Sequence, residues 1–327
     1  MRFAVYGVGP IGTLIAKVAI ARGYEPVAAI DIDSSKKGRD LGELIGLNEK
    51  LGVQVTDRYS ILYEVKPDIV FHATGTWFDQ VYREIVHSID SGADVVSTCE
   101  TLSYPYYRYP ELAMMLDEYA KTRGVTVMGT GVNPGFLLDS LPAFMTTSMA
   151  ILEKIVAIRS LDASRRRTPF QKKIGVNMDP EEYKDALEKN MLTGHVGFAE
   201  SVMLIARITG LDVDRVEEGQ EPVVADRRIE SNGVIVEEGK VAGVKGYGKG
   251  YVEDEEVIHI EMRAGIGFEE YEEVKLVGEP EVTWRSTGTH GDLGTAAVIV
   301  NMAPRVLDYQ PGLVTMADLV KGGYHTF

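Results

Sequence analysis

A glycine-rich loop near the start of the chain constrains its fold more than any other feature. The apolar run Arg2–Tyr6 predicts a buried strand, and the loop Gly7-Val8-Gly9-Pro10-Ile11-Gly12 follows it directly. A helical apolar pattern then covers 13–22, and a second strand is predicted at 26–31, ending in an acid 19 residues after Gly12. This order of strand, glycine loop, helix, strand and acid predicts a nucleotide-binding βαβ unit.

The residues of the loop predict a dinucleotide cofactor. Gly7 permits the tight turn, Gly9 lets a pyrophosphate approach the backbone, and Gly12 lets helix and strand pack closely. Pro10 and Ile11 lie between these glycines and are predicted to line the same phosphate site. The helix that follows offers N–H groups and a positive dipole end to the phosphates.

The acid at the end of the second strand bears on the choice between NAD and NADP. Asp31 is expected to accept hydrogen bonds from the adenosine ribose, which favours NAD, and its charge would repel the 2′-phosphate of NADP. The nearby residues Ser34, Lys36, Lys37 and Arg39 either form a loop that tolerates a phosphate or lie in a solvated turn. The sequence therefore predicts NAD as the cofactor and leaves NADP open.

Strands and helices continue to alternate as far as about residue 135. Further strands are predicted at 53–55, 68–73, 94–99 and 125–129, and further helices at 79–91 and 110–123. This alternation is typical of a parallel sheet with helices on both faces. Thr74, Gly75 and Thr76 follow one strand, where small residues would let a dinucleotide lie across the strand ends. His72, inside the preceding apolar run, is predicted to be a core histidine.

The second half of the chain favours strands over alternating elements. Strands are predicted at 151–163, 222–229, 257–264, 271–277 and 281–285, and helices at 180–190, 197–209 and 291–307. The predicted fold class is α/β, with a Rossmann-type doubly wound parallel sheet plus an α+β domain that has an open mixed sheet. We expect the dinucleotide-binding domain at 1–135 and a substrate-binding and dimerisation domain at 136–289. Segment 290–327 is expected to pack back on the first domain.

Composition limits the partners of the chain. Its 327 residues carry a net charge of −15, which argues against nucleic acid and anionic membranes as partners. No apolar run approaches the roughly 20 residues of a membrane span, and no signal-peptide cleavage site follows the first strand. The single cysteine, Cys99, fits a reducing cytoplasm. No spacing of ligand residues indicates a metal site.

Glu100 is the leading candidate for a catalytic residue. It follows the strand-like run 94–99, so its carboxylate is expected at the edge where such sheets bind ligands. Oxidation of a primary amine by hydride removal leaves an iminium, which water attacks before ammonia departs. One carboxylate can take the proton from water, return it to the leaving amine and stabilise the cation. The alternative for Glu100 is a surface or helix-capping role. Cys99 is an alternative catalytic residue, a nucleophilic thiol, but a core role is favoured for it because its neighbours are apolar.

Two stretches carry a resemblance to a known family. They are Ser-Thr-Cys-Glu-Thr-Leu-Ser-Tyr-Pro at 97–105 and Gly-Thr-Gly-Val-Asn-Pro-Gly-Phe at 129–136. Together with Gly-His-Val-Gly at 194–197, Glu200-Ser201 and the tail 311–319, they make the chain similar to the 2,4-diaminopentanoate dehydrogenases and related native amine dehydrogenases. The resemblance implies NAD or NADP, a homodimer, reversible oxidative deamination, and catalysis by Glu100. The family often has a second acid where this chain has Thr101.

The resemblance also implies that His195 lies in a substrate pocket, although by itself a histidine before a helix indicates a capping or core residue. Asn133 follows a strand end and is a candidate contact for the nicotinamide or the substrate. Tyr104 and Thr295 are further candidates for substrate binding. The arginines that could bind a substrate carboxylate are not ranked by the sequence; they are Arg159, Arg165 to Arg167 and Arg263. The predicted function is oxidative deamination of 2,4-diaminopentanoate or a related amine.

Two other functions stay open. Dihydrodipicolinate reductases resemble this chain in the first domain, but we find no paired histidines followed by their K-x-x-S-G-T segment. A non-catalytic NAD-sensing protein would have the same first domain, and the acid at Glu100 argues against it only weakly. Amine-dependent turnover of the nicotinamide separates an enzyme from a sensor.

Overall fold

The computed structural model describes residues 1–166, 168–189, 191–192, 194–319 and 322–324. It divides into two compact units. The first contains Met1–Phe136 and His290–Lys321, and the second contains Leu137–Thr289 and Gly322–Phe327.

The first unit alternates strands and helices. Its elements are β1 Arg2–Tyr6, α1 Pro10–Ala21, β2 Glu25–Ile30, α2 Leu41–Leu44, β3 Val55–Thr56, α3 Ile61–Val65, β4 Ile69–His72, α4 Phe78–Asp90, β5 Asp94–Ser97, a 3₁₀ turn Glu100–Leu102, α5 Pro105–Arg108, α6 Pro110–Arg123 and β6 Thr126–Gly129. After the second unit, the chain adds α11 Gly291–Leu307, β15 Gly312–Val314 and α12 Met316–Leu319.

These strands form one seven-stranded sheet in the order β15-β6-β5-β4-β1-β2-β3. All its pairings are parallel, so the carboxyl ends of the strands meet at one edge. The strand order reverses direction between β1 and β4, which is where doubly wound sheets bind their ligands. Helix α11 packs against α1 and against β4, β5 and β6.

The first helix begins three residues earlier than its apolar pattern predicts. It starts at Pro10, directly after Gly9. Proline is favoured at this position because its φ is already helical and its missing N–H is one that a first turn leaves unpaired. The glycine loop therefore leads straight into the helix N-terminus.

The second unit is built on a mixed sheet. Its elements are α7 Ser140–Met145, β7 Ile151–Asp162, α8 Thr168–Lys173, α9 Pro180–Glu188, α10 Phe198–Thr209, β8 Arg215–Val224, β9 Ile229–Ser231, β10 Val234–Val236, β11 Val241–Val252, β12 Glu255–Gly265, β13 Tyr271–Glu279 and β14 Val282–Arg285. The six-stranded sheet has the order β14-β13-β7-β12-β11-β8, while β9 and β10 pair separately. Only β7 and β12 run parallel; the other pairings in this sheet are antiparallel.

The sequence pattern missed two features of the second unit. The strand predicted at 222–229 is instead the end of β8, which stops at Val224, and the separate strand β9. Strand β11 was not predicted, because four glycines interrupt its apolar pattern. Of the predicted positions, Asn190 and Arg167 lie outside the described residues.

The predicted fold class is confirmed, with a parallel doubly wound sheet in one unit and a mixed sheet with helices in the other. Among the helices of the described ranges, none is long and apolar enough to cross a membrane.

Candidate active site

The glycine loop has the geometry of a phosphate-binding turn. Gly7 has a φ of 94°, and a Cβ at this position would collide with the carbonyl of Ala73. A Cβ at Gly12 would collide with the carbonyl oxygen of Gly7, so both positions require glycine for steric reasons. A Cβ at Gly9 would meet no atom within 4 Å. Gly9 is therefore not needed for packing, and it leaves open space beside the N-terminus of α1.

Asp31 follows β2 and connects its end to the glycine loop. One carboxylate oxygen accepts a hydrogen bond from the backbone N–H of Val8 at 2.8 Å, and the other from the backbone N–H of Asp33 at 2.8 Å. Lys36 donates to Asp31 Oδ2 at 2.9 Å. The predicted ribose ligand thus lies beside the loop, already paired with one cation.

The residues after β4 are tied to their surroundings. Thr74 is exposed, and its hydroxyl donates to Glu84 and lies 2.9 Å from His72 Nε2. A Cβ on Gly75 would come within 2.8 Å of the Val81 side chain. Because the Thr74 hydroxyl is engaged on the protein, this segment offers a ligand mainly its backbone.

His72 is a core histidine with hydrogen-bond partners on both ring nitrogens. Its Nδ1 shares a hydrogen bond of 2.8 Å with Ser97 Oγ, and its Nε2 lies 2.9 Å from Glu84 Oε2. Burial raises the pKa of Glu84, but hydrogen bonds from His72 and Thr74 outweigh it and hold that pKa below its ordinary value. The ring therefore joins the end of β4 to the end of β5 and to α4.

Cys99 is buried and lacks the properties of a nucleophile. Its side chain is in the core cluster between α4 and α6, and its thiol donates to the carbonyl of Thr76 at 3.1 Å. Burial raises the pKa of Cys99 to about 12, and the nearby charge of Glu100 adds to this. A catalytic cysteine needs the thiolate, so this environment favours the core role.

Glu100 lies three residues beyond the end of β5, at the carboxyl edge of the sheet. It opens the 3₁₀ turn and is half-buried. Its carbonyl accepts hydrogen bonds from the hydroxyl of Ser103 at 2.6 Å and from the Ser103 N–H at 3.2 Å, which fix the turn. These two hydrogen bonds hold the backbone of the turn from which the Glu100 side chain extends.

Three other predicted residues lie in the same unit. Tyr104 is half-buried directly after this turn, with its ring edge-on to Tyr106 at 5.8 Å. Asn133 follows β6, is half-buried, and precedes a cis bond to Pro134. Thr295 is in the first turns of α11, and its methyl group lies 3.7 Å from the Cβ position of Gly131. Like Glu100, Asn133 follows a strand whose end lies at the carboxyl edge of the sheet.

His195 lies in the second unit, before α10. Its backbone N–H donates to Gln220 Oε1 at 2.9 Å, and its ring meets the Phe198 ring edge-on at 4.8 Å. Burial lowers the pKa of His195 to about 3, and the positive charges of Lys173 and Arg159 lower it further. The imidazole is therefore neutral at physiological pH.

The candidate arginines differ in their burial and in their partners. Arg159 on β7 is buried and lies opposite Met262 and Glu272 on the neighbouring strands. Its Nε lies 3.4 Å from Glu272 Oε1, and its Nη2 donates to the carbonyl of Thr289 at 2.9 Å. Arg263 is next to Met262 and so points to the opposite face, where it bonds Glu261. Arg165 is mostly exposed and pairs with Glu270 at 3.4 Å. Of the described candidate arginines, Arg159 is the one whose positive charge lowers the pKa of His195.

The model of the 2,4-diaminopentanoate dehydrogenase C-terminal domain matches residues 136–322, more than half of the chain. The chain belongs to the 2,4-diaminopentanoate dehydrogenase family. It is 29% identical over 312 residues to a 2,4-diaminopentanoate dehydrogenase of Acetoanaerobium sticklandii, covering 88% of each chain. It is 27% identical over 234 residues to an amine dehydrogenase of Streptomyces virginiae, covering 68% of this chain and 62% of that protein.

Solved structures agree with membership of the 2,4-diaminopentanoate dehydrogenase family. An amine dehydrogenase from Mycobacterium smegmatis superposes with a TM-score of 0.84 at 25% identity, covering 97% of this chain and 95% of that one. A dihydrodipicolinate reductase from Paenisporosarcina shares the fold at a TM-score of 0.50 and 14% identity, covering 98% and 99%. The predicted family and enzyme class, an oxidoreductase acting on CH–NH2 donors, are confirmed, and so is a nicotinamide cofactor in general form.

Thr101 directly follows Glu100, at the position where the sequence resemblance implied that a second acid is common. Its side chain is fully buried, and its hydroxyl accepts from the backbone N–H of Phe78 at 2.8 Å. The same hydroxyl donates to the carbonyl of Thr76 at 3.2 Å. Thr101 therefore joins the turn of Glu100 to the start of α4, a connection that was not visible in the sequence.

Proposed function

We propose that this chain catalyses the reversible, NAD(P)-dependent oxidative deamination of a primary amine to a ketone and ammonia. 2,4-Diaminopentanoate or a related amine is the proposed substrate, since the A. sticklandii relative bears that substrate in its name. The observation that carries the proposal is the position of Glu100, a half-buried carboxylate at the carboxyl edge of a doubly wound sheet in a member of this family.

The first unit fits a nicotinamide dinucleotide. Gly9 leaves open space beside the N-terminus of α1, where N–H groups and the helix dipole favour a pyrophosphate. Gly7, Pro10, Ile11 and Gly12 complete this loop, and Asp31 is the proposed partner of the adenosine ribose. When bound, the cofactor supplies the acceptor for the substrate hydride.

Further contacts to the cofactor are proposed from the strand ends of the first unit. Thr74, Gly75 and Thr76 after β4 would meet it mainly through their backbone, since the Thr74 hydroxyl is engaged by Glu84. Asn133 after β6 is proposed to contact the nicotinamide or the substrate. NAD is the favoured cofactor because Asp31 carries a negative charge at the ribose position.

Glu100 is proposed to move the protons. Loss of a hydride from the amine-bearing carbon leaves an iminium cation, which the carboxylate stabilises by charge. Water then adds to the iminium carbon while Glu100 takes its proton. The same carboxyl group returns this proton to the nitrogen, so that the C–N bond breaks and ammonia leaves. The carboxylate then takes the proton of the hydroxyl group, which leaves the ketone. General acid–base help of this kind contributes about 10²–10⁴-fold.

Four residues are proposed to contact the substrate. Tyr104, Asn133 and Thr295 are proposed in the first unit. His195 is proposed in the second, where its neutral imidazole can exchange hydrogen bonds without repelling an ammonium group. Arg159 is the favoured partner for a substrate carboxylate, because it is the described candidate arginine whose charge acts on His195.

We further propose a cytoplasmic homodimer. The first unit, which includes the returning segment His290–Lys321, is the proposed dinucleotide-binding domain. The second is the proposed substrate-binding and dimerisation domain. The face of the mixed sheet opposite α10 is the proposed dimer surface.

The test is turnover of a panel of amines, including 2,4-diaminopentanoate, with NAD and with NADP, followed at the nicotinamide absorbance band. In Glu100→Gln we expect kcat to fall about 10²–10⁴-fold, with NADH affinity unchanged by fluorescence titration. Glu111→Gln, at an exposed position in the first turn of α6, is the matched control and should keep full activity. Near-normal turnover in Glu100→Gln contradicts the role, and absence of turnover with every amine in the wild-type chain contradicts the function.

A further inference from the structure

The carboxylate of Asp31 is a fixed part of the loop after β2. Each of its oxygens accepts a backbone N–H, from Val8 and from Asp33, both at 2.8 Å. Only 10% of the side chain is exposed. Turning this carboxylate away would break two charge-assisted hydrogen bonds, so it keeps its position whichever cofactor approaches.

Lys36 is the less constrained member of the pair. Its ammonium lies 2.9 Å from Asp31 Oδ2 and 3.5 Å from Asp33 Oδ2. Partial burial opposes the charged form, but the hydrogen bond and charge of Asp31 outweigh it and raise the pKa of Lys36. No backbone bond of the kind that holds Asp31 holds the ammonium, which ends a flexible four-carbon chain.

The other cations of the loop are engaged elsewhere. Lys37 pairs with Asp57 at 2.6 Å, and Arg39 pairs with Glu43 at 2.6 Å. Among these three cations, Lys36 is the one that contacts Asp31. The pair of Lys36 and Asp31 has no net charge, whereas Asp31 alone would repel a 2′-phosphate carrying nearly two negative charges.

We propose that Lys36 sets the cofactor preference, by moving from Asp31 to bind the 2′-phosphate of NADP. With NAD, Lys36 stays on Asp31, whose remaining lone pair on Oδ1 accepts a ribose hydroxyl. This inference rests on the proposed nicotinamide cofactor. It extends that proposal by naming the one residue that would bind the 2′-phosphate of NADP.

The test is binding of NADPH and NADH, measured by titration of nicotinamide fluorescence. In Lys36→Met we expect the Kd for NADPH to rise at least about tenfold through loss of one charge-assisted contact, and the Kd for NADH to stay within about twofold. Lys37→Met, which removes the neighbouring cation from its pair with Asp57, should change neither. An unchanged NADPH-to-NADH ratio of Kd in Lys36→Met, or the same change in Lys37→Met, overturns the proposal.

Two further variants complete the experiment. Lys36→Arg keeps the charge and should keep NADPH binding within a few fold of the wild type. Asp31→Ala removes the repulsion and releases Lys36, so it should raise the affinity for NADPH relative to NADH; an unchanged ratio counts against the pair as the determinant. These titrations need no amine, so they still report on Lys36 if no amine is turned over.

Discussion

The imidazole of His195 is half-buried beside two cations, and this environment sets its charge. Lys173 and Arg159 repel a proton on the ring, and burial removes the water that would solvate it. The backbone of the residue is held by Gln220, 25 positions along the chain. A neutral histidine can act as a hydrogen-bond donor and acceptor in the proposed substrate pocket. At neutral pH it does not carry the second ring proton that a general acid would donate.

The neutral state of His195 predicts a loss of stability in acid. The folded pKa of about 3 is below the ordinary 6.5 of the unfolded chain, so the stabilising contribution is present above pH 6.5 and is lost as the pH falls toward 3. Between pH 7.5 and 5.0 we expect the free energy of unfolding to fall by on the order of 1 kcal/mol more in the wild type than in His195→Gln. Urea denaturation of both proteins at the two pH values measures this. Parallel pH dependences would contradict the lowered pKa.

Sequence reasoning placed Glu100 correctly at the carboxyl edge of the sheet, because a residue's place after a buried parallel strand can be read from the local pattern. It did not reveal what holds the neighbouring side chains. The connection of Thr101 to Phe78, the hydroxyl of Thr74 on Glu84, and the pair of Lys36 and Asp31 all depend on side-chain directions that no local pattern encodes. Local periodicity gives the backbone position of a site residue, and tertiary contacts decide its charge and partners.

At the scale of elements, strand β11 shows how glycine can serve a sheet against its usual tendency. Glycine weakens strands, and this led the pattern to miss β11. In the structure, a Cβ at Gly246 would lie 2.6 Å from the ring of Phe198, and one at Gly250 would lie 2.8 Å from Val202. These glycines therefore let α10 lie close to the sheet directly after His195. Strands β7 and β12 could be predicted because β-branched residues favour a strand by themselves, without reference to the helix that packs on it.

The close packing of α10 on β11 predicts that a valine substitution lowers the free energy of unfolding much more on one face of that strand than on the other. Gly246→Val should overpack the contact with Phe198 and lower the free energy of unfolding by about 1–3 kcal/mol. Lys249→Val lies on the opposite face and removes a partly exposed ion pair to Glu256. Because Lys154 still pairs with Glu256 at 2.6 Å, this substitution should cost less than about 1 kcal/mol. Urea denaturation of the two variants makes the comparison. Equal effects would mean that α10 tolerates displacement from the sheet.

At the scale of the whole molecule, the outer face of the mixed sheet carries charges of both signs in an ordered row. Across the strands, Tyr247 is opposite Glu261, which is opposite Ile158, followed by Glu273 and Arg285. Ile158 is thus an apolar centre between two charged neighbours, and an apolar centre with a polar rim is the usual composition of an interface between two copies of a chain. This arrangement supports the proposed homodimer. The sequence showed the alternation along each strand but not the order of the strands, which long-range pairing decides.

The row predicts that a charge at its centre will break the dimer. Ile158→Lys would place the ammonium between Glu261 and Glu273, so the protomer should stay folded. In a dimer the added charge would be buried at the interface, which costs several kcal/mol and should weaken association by at least about a hundredfold. Sedimentation or light scattering should then give the protomer mass of 36.0 kDa for the variant and about twice that for the wild type. Met115→Lys, at an exposed apolar position on α6, is the matched control and should remain dimeric. A dimeric Ile158→Lys would show that this face is not the interface, and a monomeric wild type would remove the dimer proposal itself.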